Sequence, residues 1–230
     1  MFFALLTTHA ITDFALQPDW MALAKRRNFW ILLLHVGITA LGPIVLAWLY
    51  WPQLWGPAIV LAIIHLFADW TKMRLDPWLK RGVLIGFLVD QAVHIVSIAG
   101  VLMAFGLMQW HALANFFSAL LAHRDQLLLY AFAYSISVFF GYVLIKILFL
   151  DLPADDTTGD EASSKYASML ERGLITTFTA LGQFLLIAAV IAPRLLLKGP
   201  LLQNPAAKRR LELEILINIA LAMGAGLLLR

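Results

Sequence analysis

From Phe29 to Tyr50 the chain carries no Asp, Glu, Lys or Arg, and that run narrows its possible folds more than any other feature. About 20 predominantly apolar residues are what a helix needs to cross a bilayer. Comparable stretches lie at 54–70, 83–108, 127–150, 174–197 and 211–229, with a shorter one at 2–17. Composition points the same way. Hydrophobic residues make up 62% of the 230 positions and charged residues 13%, against roughly a quarter charged in soluble domains. The expected fold is all-α: a polytopic transmembrane helical bundle of about seven spans. The less apolar piece Gln109–Gln126, with His111, His123 and Arg124, is expected to be an interfacial helix. Residues 1–108 form the expected core. Residues 109–230 supply peripheral helices: the interfacial piece and the spans at 127–150, 174–197 and 211–229.

Charge placement orients the bundle. Lys25, Arg26 and Arg27 follow the first span, and Lys72, Arg74, Lys80 and Arg81 follow the third. Short basic connectors stay on the cytoplasmic side, which puts the N-terminus outside. Trp20, Trp30, Trp70 and Trp78 then fall at the cytoplasmic ends, and Trp48, Trp51, Trp55 and Trp110 at the opposite ends, as two aromatic belts. Strict alternation would place the basic stretch Lys198 to Arg210 outside, against the rule, so the topology of the second half stays open. The first apolar stretch has no basic residues before it and no small-residue cleavage site, and reads as a retained span. Acidic Asp151–Ser164, with Pro153 and Gly159, reads as a flexible loop. There is no cysteine, so disulfides and thiolate metal sites are excluded. A net charge of +3, carried in short loops, marks no nucleic-acid face.

Polar residues inside the apolar runs follow a spacing. His9, Asp13 and Gln17 recur every four positions, His65, Asp69 and Lys72 every four and three, and Asp90 and His94 are four apart beside Gln91. Residues so spaced share a helix face. His35 adds an imidazole from the second span. At about 1.5 Å of rise per residue, all seven His and Asp residues fall in the cytoplasmic half of the membrane. Ionisable residues inside spans are costly and face the bundle interior. His9, Asp13, His35, His65, Asp69, Asp90 and His94 are therefore the candidate metal ligands. Imidazole and carboxylate suit zinc, manganese or iron, and the number of ligands allows one or two ions. Asp13, Asp69 and Asp90 are the candidate catalytic carboxylates. Gln17, Lys25, Lys72 and Gln91 are the candidate substrate contacts or hydrogen-bond partners of the ligands, the lysines suiting an anionic lipid or phosphate. The bland alternative is interhelical glue, worth about 0.6–2 kcal/mol per polar residue. His111 and His123 read as solvated, Glu171 with Arg172 as an ion pair at a helix start, and Lys146 as a snorkelling residue.

At these residues the chain resembles the bacterial family of unknown function numbered 3307, a group of small polytopic membrane proteins. The shared pattern is His9-x3-Asp13-Phe14-x2-Gln17, His35, His65-x3-Asp69-x2-Lys72 and Asp90-Gln91-x2-His94. It covers about the first hundred residues, with a weaker echo at Glu171-Arg172. The tail at Ile217-Asn218-Ile219-Ala220-Leu221 departs from the family's small, hydroxyl-rich ending. The resemblance implies that the His/Asp set is one site and names no chemistry. The leading expectation is a metal-dependent hydrolase in the bacterial inner membrane, acting on a lipid or phosphate-containing substrate at the cytoplasmic leaflet. Its partners are then the bilayer and the anionic substrate, with oligomerisation left open. Against it stand a proton or divalent-cation transporter, a haem protein ligated by His35, His65 and His94, and a non-catalytic membrane subunit.

Overall fold

The computed structural model describes residues 1–75, 83–111, 126–150, 161–198 and 203–230. Among them every regular element is helical. His123, Arg124, Trp78, Lys80, Arg81 and most of the expected interfacial helix lie outside the described residues. His111 is exposed. In order, the helices are α1 (Phe2–Ala15), α2 (Asp19–Ala24), α3 (Phe29–Leu49), α4 (Trp55–Leu75), α5 (Val83–Ala104), α6 (Gln126–Leu148), α7 (Glu161–Ala180), α8 (Phe184–Leu197) and α9 (Pro205–Leu227). The chain divides into two compact units, Met1–Leu128 and Leu129–Arg230.

Among the described residues, four helices are long and apolar enough to cross a membrane: α3, α4 with its leading turn from Pro52, α5 and α6. Large apolar side chains project outward along them, including Leu34, Leu41, Ile59, Phe67, Ile85 and Val96. Such faces are stable against lipid and costly in water. Trp30 and Trp48 stand 76% and 74% exposed near the two ends of α3. Their separation along the helix is about 27 Å at 1.5 Å per residue, close to the thickness of a hydrocarbon core. Apolar α1 and α8 are shorter.

In the first unit the helix packing is polarised. Ala4, Leu5, Leu46, Ala47, Leu54, Leu61, Ile98, Val101 and Leu102 form a dry cluster at one end of the bundle. The buried His and Asp residues gather toward the other end. Gly42 lets α1 lie close on α3, because a Cβ there would come within 2.6 Å of Thr8 Cβ. Both exits of the α4–α5 region are punctuated by sequence. Pro52 starts a short turn before α4. Gly106, at φ 68°, ends α5 in a left-handed cap, with Gly106 N–H donating to Met103 O and Leu107 N–H to Leu102 O.

Several expected boundaries move. The expected span 174–197 is two helices: Gly182 at φ 72° takes the same left-handed cap, with Gly182 N–H to Thr179 O and Gln183 N–H to Phe178 O. The helix before it starts at Glu161, so Glu161–Ser164 belongs to α7 and not to the acidic loop. Likewise Lys208, Arg209 and Arg210 lie in the first turns of α9, which begins at Pro205 rather than Leu211. Proline at a helix start loses no hydrogen bond that the helix would use. Helix α4 runs past Trp70 to Leu75, carrying Lys72 on the helix itself. Two π-helical turns, Ile11–Ala15 and Ser135–Phe140, were not legible in the hydrophobic pattern.

The second unit is held by its own core of Ile175, Ile187 and Ala222. Gly226 permits a close approach of α9 to α7, since a Cβ there would meet Thr176 O and Thr179 Cβ at 2.6 Å each. Glu171 and Arg172 do not pair with each other as expected. Glu171 accepts from Arg194 at 2.7 Å, while Arg172 turns inward and donates to Asn218 Oδ1 at 2.5 Å and Val138 O at 3.0 Å. The π-turn at Ser135–Phe140 includes that carbonyl. Lys146 lies over the ring of Tyr142.

Candidate metal centre

Four helices deliver the polar cluster. α1 brings His9 and Asp13, α3 brings His35, α4 brings His65, Asp69 and Lys72, and α5 brings Asp90, Gln91 and His94. The i,i+4 spacing places each His–Asp pair on one inward face: His9 Nε2 is 3.9 Å from Asp13 Oδ2, His65 Nε2 3.9 Å from Asp69 Oδ2, and His94 Nε2 3.5 Å from Asp90 Oδ1. Asp13 sits within the first π-turn, where Leu16 N–H reaches back five residues to Ile11 O. Such single π-turns re-aim side chains and recur at functional sites. Gln17 lies beyond the helix end, so it does not continue the α1 wall as its spacing suggests. It still joins the cluster: with the amide oriented so that both groups are satisfied, its nitrogen donates to Asp13 O at 3.1 Å and its oxygen accepts from Lys25 Nζ at 2.9 Å.

At the centre is His35, which is fully buried. Its Nε2 stands 3.1 Å from Asp13 Oδ1, 3.3 Å from Asp69 Oδ2 and 3.1 Å from His65 Nε2. A ring nitrogen has one hydrogen or one lone pair, never three. A tetrahedron built on metal–ligand bonds of about 2.0–2.2 Å has edges of about 3.3–3.6 Å, and these spacings of 3.1–3.3 Å lie at or just short of that edge. Asp13, His35 and His65 form one group able to hold a metal ion, and His65, Asp69 and His94 form a second. His65 belongs to both. Buried His9 Nε2, His35 Nδ1 and His94 Nε2 have no hydrogen-bond partner. Orphaned polar atoms are rare in protein interiors and call for an explanation. The imidazole rings crowd together: the His65 and His94 centroids are 4.2 Å apart and stacked, and those of His9 and His94 are 5.0 Å apart.

Lysines close the rim. Lys25 Nζ donates to Asp69 Oδ2 at 2.6 Å and Lys72 Nζ to Asp90 Oδ2 at 2.8 Å. Gln91 donates to Asp90 Oδ2 at 3.2 Å and reaches Asp13 Oδ2 at 3.5 Å. Every sequence-derived site residue therefore stands in this one cluster. The lysines thus act as hydrogen-bond partners of the carboxylates, the second of the two roles expected of them. One feature was missed: a cavity of about 40 Å³ runs from His9, His65 and His94 past Thr39 and Ser97 toward the apolar end. The fit to a divalent ion rests on the donor set: hard and borderline oxygen and nitrogen atoms, converging from separate helices, with unsatisfied nitrogens among them.

Comparison with curated proteins and with solved structures finds no match. A family model matches residues 1–127, the stretch that carries the whole cluster. That match spans more than half of the chain, which belongs to the family described as protein of unknown function, DUF3307.

Proposed function

We propose that the chain is a multi-pass inner-membrane protein that binds a divalent metal within the buried cluster of Asp13, His35, His65, Asp69 and His94 and hydrolyses a phosphate-containing or lipid substrate. The observation that carries this reading is His35 Nε2, faced at 3.1–3.3 Å by two carboxylate oxygens and a second imidazole nitrogen. One shared hydrogen satisfies at most one of these contacts, while a cation held by His35, His65 and Asp13 accounts for the crowding of acceptors. When bound, such an ion supplies a water of lowered pKa and a Lewis acid for a phosphoryl oxygen. The chain's own residues do the rest. Asp90 is placed as the general base, held by His94 Nε2 at 3.5 Å and Lys72 at 2.8 Å. Lys72, on the last turn of α4 and 26% exposed, meets the anionic group. Gln91 keeps Asp13 and Asp90 in register. The basic connector with Lys25, Arg26 and Arg27 supports reading this end as the cytoplasmic one.

Reconstituted protein with manganese or zinc should release phosphate or head group from phosphomonoesters or phospholipid vesicles. Asp90→Asn should lower the rate by about 10²–10⁴, the range of a positioned general base, while metal content stays that of the wild type. Equal rates in the two proteins would refute the role given to Asp90, and no turnover on either substrate would refute the hydrolase.

One observation favours transport as a second reading. The cavity beside His9, His65 and His94 extends toward Thr39 and Ser97, and its size admits water, which needs about 10–15 Å³. Zinc flux into proteoliposomes, lost in His9→Ala, would select this reading over the first.

A further inference from the structure

Of the two roles expected of Lys25, substrate contact or hydrogen bond to a ligand, it takes the second and spends its charge inside the protein. Its ammonium lies 2.6 Å from Asp69 Oδ2, 14% exposed, and its other contact is the Gln17 amide oxygen at 2.9 Å. Asp69 belongs to the His65–Asp69–His94 group and lies 3.3 Å from His35. Asp13, in the other group, carries no lysine within ion-pair distance among the described residues. The two groups are thus unequal. One has its carboxylate open to a cation, and in the other an ammonium already sits where a cation would bind.

His65 makes the groups mutually exclusive. Its Nε2 is 3.1 Å from His35 Nε2 and 3.9 Å from Asp69 Oδ2, so the same nitrogen faces both sets of partners. One lone pair binds one ion. An ion held through Asp13, His35 and His65 and an ion held through His65, Asp69 and His94 are alternatives. Charge adds a second constraint. A buried carboxylate left without a cation is strongly destabilising, so Asp69 keeps either Lys25 or a metal. Lys25 comes from the C-terminal cap of α2 on a connector, and Gln17 offers the displaced ammonium an acceptor on that same connector.

Resting on the metal reading above, we propose that Lys25 and a divalent cation compete for Asp69. Lys25 acts as a tethered counter-ion that fills the His65–Asp69–His94 position until a single metal ion moves into it from the Asp13–His35–His65 position. Lys25 is then a residue that sets affinity and occupancy, not one that contacts substrate.

The test is cobalt(II) binding to the full chain in detergent, stripped of metal and followed by its visible ligand-field absorption. Lys25→Met should bind cobalt about tenfold tighter than the wild type or better, and Lys25→Arg, which retains a cation, no tighter. A second measurement needs no variant. Amine-directed acylation of wild-type protein, read by mass spectrometry, should label Lys25 more strongly once zinc is added. Cobalt binding equal to or weaker than wild type in Lys25→Met overturns the competition and leaves the metal site standing, as does Lys25 labelling that zinc does not raise. Absence of cobalt binding in wild type and variants alike overturns both.

Discussion

Two buried polar networks, one in each unit, show what separates a site from a strut. In the second unit Arg194 is clamped by Glu171 at 2.7 Å, Glu214 at 2.5 Å and Ser168 at 3.3 Å, and Asn218 closes the chain from Arg172 to Glu214 O. Cations meet acceptors there. Its two unpaired atoms, Arg172 Nε and Thr179 Oγ1, belong to side chains packed on Gly141 and Gly226. Neither residue lines the mostly apolar pocket that opens beside Glu171, so no unpaired atom faces it. In the first unit the imbalance is the reverse. Three carboxylates face two lysines and four imidazoles, and three imidazoles hold unpaired atoms, those of His9 and His94 on residues that line a cavity. A satisfied network specifies a fold. One that leaves imidazole nitrogens unpaired beside a cavity has donors to spare for a ligand.

The largest test of this contrast is Arg194→Ala, which strands two carboxylates inside the second unit. It should lower stability by about 3–5 kcal/mol in thermal unfolding of the detergent-purified protein, and leave metal stoichiometry unchanged. Loss of metal without loss of stability would erase the distinction. Asp13→Asn probes the opposite region. It should weaken cobalt or zinc binding by more than about a hundredfold, beyond the 10–100-fold typical of residues that only orient ligands. The metal-free protein should melt within about 1 kcal/mol of wild type. Gln91→Ala, which removes the amide between Asp13 and Asp90, should fall inside that 10–100-fold range in the same titration. At the small end stands Lys208→Ala. Its partner Glu212 is 3.8 Å away and both are more than half exposed, so unfolding should shift by less than about 0.5 kcal/mol.

The sequence made the first unit far more legible than the second, and the reason is periodicity. His9 and Asp13, His65 and Asp69, Asp90 and His94 announce inward faces because a charge in an apolar run has nowhere else to point. His35 had no partner at four residues' distance, and only its depth suggested the central place that it takes. The π-turn around Asp13 left no mark, since a five-residue backbone step changes no side-chain pattern. Lys25 was placed near the site, but its bond to Asp69 spans 44 residues and depends on how the α2 connector folds back. In the second unit the break at Gly182 was visible only as a glycine within an apolar run. Arg172 read as the ion-pair partner of Glu171 at a helix start because neighbours in sequence are the simplest pairing. The helix instead turns the two apart, sending Glu171 to Arg194 and Arg172 to Asn218.

The central claim is that the His/Asp cluster is a metal centre. Elemental analysis of the detergent-purified protein, wild type beside Asp69→Ala, tests it most directly. The account predicts one equivalent of a divalent transition metal in the wild type and a large loss in the variant. No metal in the wild type after growth and titration with zinc, manganese and iron, or equal content in both proteins, would contradict it.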